Sequence, residues 1–68
     1  MSHYITALYL ETSYERLEEA INTGDIDLFE ETMLDMKKRG YETEAKEMYK
    51  DFKSDYRSLI NEGENAYV

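Results

Sequence analysis

The side chains able to do chemistry in this 68-residue chain are few in kind. Cysteine is absent, which excludes thiolate metal sites, cysteine nucleophiles and disulfides. The one histidine, His3, has neither a serine nor a carboxylate at helical spacing to orient it as a general base, and it reads as an exposed residue at a helix start. Paired carboxylates are plentiful, at Glu15/Glu18/Glu19, Glu30/Glu31 and Glu47/Asp51/Asp55. A catalytic pair needs one member desolvated so that the two pKa values separate. All of these fall on polar faces, which predicts solvated surface instead. Asp25-Ile26-Asp27 has the opening spacing of a calcium loop, but Leu28-Phe29 continue an apolar pattern and Glu30 stands where the loop requires glycine. Helix capping explains those aspartates better. No Glu-x-x-His pair and no glycine-rich loop occurs, so a di-iron bundle site and a phosphate cradle are not expected. The chemistry therefore predicts no catalytic residue, no metal and no cofactor, and the chain does not read as an enzyme.

What the charged residues do offer is a distribution. Eight Lys and Arg stand against sixteen Asp and Glu, a formal net charge of −8. Residues 1–36 hold nine acids and one base, Arg16, whereas residues 37–68 hold seven of each. The whole net charge thus lies in the first half. That balance excludes direct binding to a phosphate backbone. It is consistent first with a solvated face that keeps a small protein dissolved, and also with a docking surface for a basic partner protein, whose association would be salt-sensitive. The candidate residues are Glu11, Glu15, Glu18, Glu19, Asp25, Asp27, Glu30 and Glu31, gathered about the turn at Gly24.

These residues must be positioned by helices. Ala7, Leu10, Tyr14, Leu17 and Ile21 recur at alternating steps of three and four, an apolar stripe that predicts a helix from about 3 to 22 with Ser2 as its cap. Asn22-Thr23-Gly24-Asp25 is a helix stop followed by a start, with Asp25 or Asp27 as the next cap and Asp27/Glu30 at capping-box spacing. Ile26, Phe29, Met33 and Met36 carry a second helix, 26–39, with Leu34 to one side of the stripe. Lys37-Lys38-Arg39-Gly40 ends it; three cations in a last turn before a glycine are a stop signal, which accounts for the basic triplet. Ala45, Met48/Tyr49, Phe52, Tyr56 and Leu59/Ile60 predict a third helix, 42–61. Residues 62–68 read as a polar tail that frays. The fold class expected is all-α: three antiparallel helices in a small bundle, with residues 1–61 as one domain.

A chain of this length buries a modest core, and it lacks the disulfides or metal that commonly staple one. Either the helices pack very efficiently or the chain borrows core from a partner, itself included, and the second is expected. The first helix supplies a surface for it, because Ile5, Leu8 and Tyr9 lie off the Ala7/Leu10/Tyr14 stripe and make its first turns apolar on two sides. Seven tyrosines point the same way, since tyrosine suits half-wet surfaces, although Tyr14, Tyr49 and Tyr56 fit the edge of the core. The apolar run from Tyr4 to Leu10 follows no Lys or Arg and stops at Glu11, too short for a secretory signal or a membrane span, so a cytoplasmic location is expected, without membrane contact. The functional expectation is a non-enzymatic acidic regulator or inhibitor, of the type phages and mobile elements make, that binds a basic host protein and forms a homo-oligomer. A self-associating assembly module is the alternative.

Overall fold

A computed structural model describes the backbone of residues 2–65 and the side chains of residues 4–62. It is all-α, with three helices in the order α1 (Ser2–Thr23), α2 (Ile26–Lys38) and α3 (Glu42–Asn65), each in contact with the other two. The cap role expected of Ser2 and the side chain of His3 lie outside the described residues, as do Ala66, Tyr67 and Val68. The third helix runs four residues beyond its expected end near Asn61, through Gly63 to Asn65, so the first part of the expected tail is helical.

Both connections are two or three residues long, and glycine closes both preceding helices. Gly24 (φ 71°) and Gly40 (φ 90°) are the positions with a left-handed backbone among the described residues. At the first turn the Gly24 amide donates to the Ile21 carbonyl (3.3 Å) and the Asp25 amide to the Ala20 carbonyl (2.8 Å). The second turn repeats the pattern, Gly40 to Lys37 (3.1 Å) and Tyr41 to Met36 (2.8 Å). These are Schellman closures, which satisfy the last carbonyls of each helix and reverse the chain. Asp25, rather than Asp27, caps α2: its Oδ1 accepts the Leu28 amide at 3.0 Å. Asp27 remains in the first turn, where negative charge complements the helix dipole, and Lys37 and Lys38 do the same for the last turn.

The buried core is Leu17 and Ala20 from α1, Phe29 and Met36 from α2, and Ala45 and Phe52 from α3. Aromatic rings join the last two helices: Phe29 stacks on Tyr56 (centroids 4.5 Å apart) and meets Phe52 edge-on at 6.2 Å, while Tyr14 of α1 packs on Phe52 at 4.9 Å. The expected stripes of α2 and α3 are the buried ones. That of α1 is turned by roughly 60°, at about 100° per residue. Leu10, Tyr14, Leu17 and Ile21 of the expected stripe lie in or against the core, but Thr6, Tyr9, Ser13 and Ala20 are covered as well, whereas Ala7 is exposed. Ser13 and, on α2, Thr32 are buried; Thr32 returns its hydroxyl to the Leu28 carbonyl (2.8 Å). Such small residues let helices approach closely, and they contribute nothing to a hydropathy pattern.

At 1.5 Å per residue α2 is about 20 Å long, against about 33 Å for α1 and about 36 Å for α3. The short helix cannot cover the long ones from end to end. The α2–α3 turn comes level with Thr6 and Tyr9, since Tyr41 there touches both, and Leu59 comes level with Gly24. The first turn of α1 and the last of α3 therefore project beyond the three-helix section at opposite ends.

Candidate interaction surface

Glu11, Glu15, Glu18 and Glu19 are all exposed, on the side of α1 opposite Ser13, Leu17 and Ala20. Glu11, Glu15 and Glu19 follow one another at steps of four and Glu18 lies three beyond Glu15, which keeps the four on one stripe. The ion pairs among the described residues are Arg39–Asp35, Lys46–Glu42 and Lys50–Glu47, so none engages this stripe. The same outward face continues N-terminally into Tyr4, Ile5 and Leu8, which are 74, 66 and 50% exposed. Tyr4, Leu8, Glu11, Glu15 and Glu18 follow one another at steps of four, three, four and three. The outer face of α1 is thus apolar in its first turns and acidic thereafter.

Tyr9 does not share that surface. It turns inward, packs on Tyr41 (5.4 Å between centroids), donates its hydroxyl to Asp35 Oδ2 and lies under the Arg39 guanidinium at 5.2 Å. Asp35 also receives Arg39 Nε at 3.1 Å. The off-stripe position expected for Tyr9 fails for the reason that Ala7 is exposed: the true core face of α1 is rotated toward Thr6 and Tyr9.

The acids of α2 and its cap are dispersed. Asp25 is occupied in capping. Asp27 and Glu31 are exposed one turn apart on α2. Glu30 turns toward α3, where its Oε2 accepts the Tyr56 hydroxyl at 2.6 Å. The eight acids are all exposed but do not form one plane; four of them do, on α1.

Tyr9 to Asp35 joins α1 to α2, Glu30 to Tyr56 joins α2 to α3, and Tyr14 to Asp51 (3.0 Å) joins α1 to α3. Each pair of helices is fastened by one tyrosine hydroxyl donating to a carboxylate. The bonds move the pKa values in opposite directions. The Glu30 bond, with burial behind it, pushes the Tyr56 phenol up to about 12. Tyr14 is raised chiefly by its bond to Asp51, and Tyr9 by burial and then by Asp35. Asp35 is lowered, first by the Tyr9 hydroxyl and then by Arg39. These shifts follow from burial and structural hydrogen bonds, not from two acids forced together as in a catalytic dyad.

The chain matches no protein-family profile, no curated protein and no solved structure. Among the described residues no cluster of three or more acids or histidines is placed to hold a metal ion, and no helix is long and apolar enough to cross a membrane.

A second surface was not foreseen from the sequence. Between α2 and α3 runs an open groove of about 530 Å³, floored by Phe29, Met33, Ala45 and Tyr49. Leu34, 51% exposed, forms its lip, with Glu30 and Tyr56 at one end and Lys37, Glu42 and Lys46 at the other. Its one signal in the sequence is Leu34, a large apolar residue beside the stripe rather than on it.

Proposed function

We propose that this chain is a non-enzymatic interaction protein that docks the acidic outer face of α1 on a basic surface of another protein, as a regulator or inhibitor of the phage or mobile-element type. One observation carries the reading. Glu11, Glu15, Glu18 and Glu19 are exposed, share one stripe opposite the core and pair with no cation among the described residues. Four like charges in a row repel one another, and nothing in the bundle requires them there. A basic partner would relieve the repulsion and gain electrostatic steering. The test compares the tagged chain with a Glu15→Lys, Glu18→Lys, Glu19→Lys variant as bait in nuclease-treated bacterial lysate, at low and moderate salt. A basic protein held by the wild type, released by salt and absent from an equally helical variant is the expected result. The same proteins on both baits, or none on either, would sink the proposal.

Self-association is the second reading, and a specific observation favours it. Tyr4, Ile5 and Leu8 leave half or more of their surface exposed, contiguous on one projecting helix end. Under this reading Leu8→Glu lowers the mass in solution, whereas reversing Glu15, Glu18 and Glu19 leaves it unchanged.

A further inference from the structure

We propose that the α2–α3 groove receives the projecting N-terminal turns of α1 from a second copy of this chain, with Tyr4, Ile5 and Leu8 over the apolar floor and Glu11 at Lys37. The inference rests on the self-association reading and is independent of docking on a basic partner.

The two surfaces match in order and in spacing. Along the outer face of α1, apolar residues come first and acids follow. Along α2, the apolar groove comes first and cations follow: Lys37 and Lys38 are exposed, and neither belongs to an ion pair among the described residues. Tyr4 to Glu11 is seven residues, as is Glu30 to Lys37, about 10.5 Å in each case at the helical rise. A visiting α1 laid alongside α2, in the same direction, sets Leu8 beside Met33 and Leu34 when Glu11 is level with Lys37.

The charges select that direction. In the reverse one Glu11 would come against Glu30, carboxylate to carboxylate. In the chosen one Glu30 meets the uncharged Tyr4 end, and its Oε2 is already satisfied by Tyr56. The remaining carboxylate at the cationic end, Glu42, is held by Lys46 at 3.5 Å. A visitor that met another copy's α1 face instead would, in the parallel arrangement, align two acidic stripes, at a cost from like charge. Because the donor face and the receiving groove are different surfaces, the contact is head-to-groove, not self-complementary.

That asymmetry provides the test. Sedimentation equilibrium of the full chain over a wide concentration range should show mass rising above the 8.1 kDa of one chain. Leu8→Glu removes the visiting surface and Leu34→Glu the receiving one; each should remain monomeric alone. Mixed in equal amounts they should associate again, since the first keeps its groove and the second its α1 end. Lys37→Glu, at an exposed position, should weaken wild-type association severalfold, more at low salt than at high. Circular dichroism establishes that each variant remains helical, and should either leucine variant unfold, Lys37→Glu decides. Monomeric wild type at every concentration would overturn the proposal. So would self-association of Leu34→Glu equal to wild type, which would mean that α1 faces meet each other, or a mixture that stays monomeric. None of these results bears on capture of a basic protein through Glu15, Glu18 and Glu19.

Discussion

At the residue scale the tyrosines explain more than any other type. A tyrosine at the edge of a small core buries its ring and keeps its hydroxyl near water. Tyr9, Tyr14 and Tyr56 each use that hydroxyl to reach a carboxylate on a neighbouring helix. The consequence for pH can be worked out at Tyr56. Its phenol holds its proton up to about 12 in the folded chain, against 10.0 for an unperturbed tyrosine. Between those values the folded state binds more protons than the unfolded one, so this contribution is whole below pH about 10 and is lost as pH rises toward about 12. Alkaline titration of phenolate absorbance should therefore show a late-ionising tyrosine that disappears in Tyr56→Phe and moves to lower pH in Glu30→Gln. At neutral pH Tyr56→Phe should cost about 1 kcal/mol, below the range for a bond to a charged group because this one is exposed to water, read as a thermal midpoint about 4–8 °C lower. Asp35 has the opposite sign: its depressed pKa contributes stability that is present above the ordinary aspartate range and lost on acidification.

At the scale of elements the two glycine closures set the topology. Each helix stop is a left-handed residue flanked by the paired Schellman hydrogen bonds, and the next helix starts within two residues. Gly40 is the cleaner probe, because a Cβ added there meets no neighbouring atom within 4 Å. Any loss on substitution then comes from backbone strain. Gly40→Ala should destabilise by about 1–2 kcal/mol, the left-handed penalty for an L-residue, with no change in helical content, as measured by chemical denaturation followed by circular dichroism. The same element logic explains the exposed leucines and isoleucine. A short α2 between two long helices ends level with Thr6 and Tyr9, which leaves Ile5 covered only in part by Arg39 and Tyr41 of the α2–α3 turn, while Tyr4 and Leu8 lie on the outer side of α1.

At the scale of the whole molecule, stability rests on very few buried side chains. Phe29 packs with Tyr49, Phe52 and Tyr56 of α3 and is buried between the two helices. Phe29→Ala removes about 3–5 kcal/mol of packing, a large share of what a chain of this size retains. Denaturation should show the variant substantially unfolded in water at room temperature; a cooperative transition within about 1 kcal/mol of wild type would mean that the aromatic cluster is not the stabilising centre. Net charge adds a general term. With −8 in the first half of the chain and no ion pair on its α1 stripe among the described residues, added salt should raise the thermal midpoint by screening repulsion.

Composition and periodicity alone determined the three helices, both turns, and the inner faces of α2 and α3, because Phe29, Met36, Ala45 and Phe52 are apolar residues at helical spacing between strong stop signals. They also placed Glu11, Glu15, Glu18 and Glu19 on one polar stripe. Tertiary structure decided the rotation of α1, since Thr6 and Ser13 face inward and carry no hydropathy signal that could outweigh Ala7. It decided that Tyr9 fastens α1 to α2 and that Glu30 serves Tyr56, because each depends on which partner another helix brings within hydrogen-bond reach. The α2–α3 groove belongs to the same class. A stripe shows that a face is buried, but the gap between two stripes depends on how far apart the helices stand, and no single helix encodes that distance.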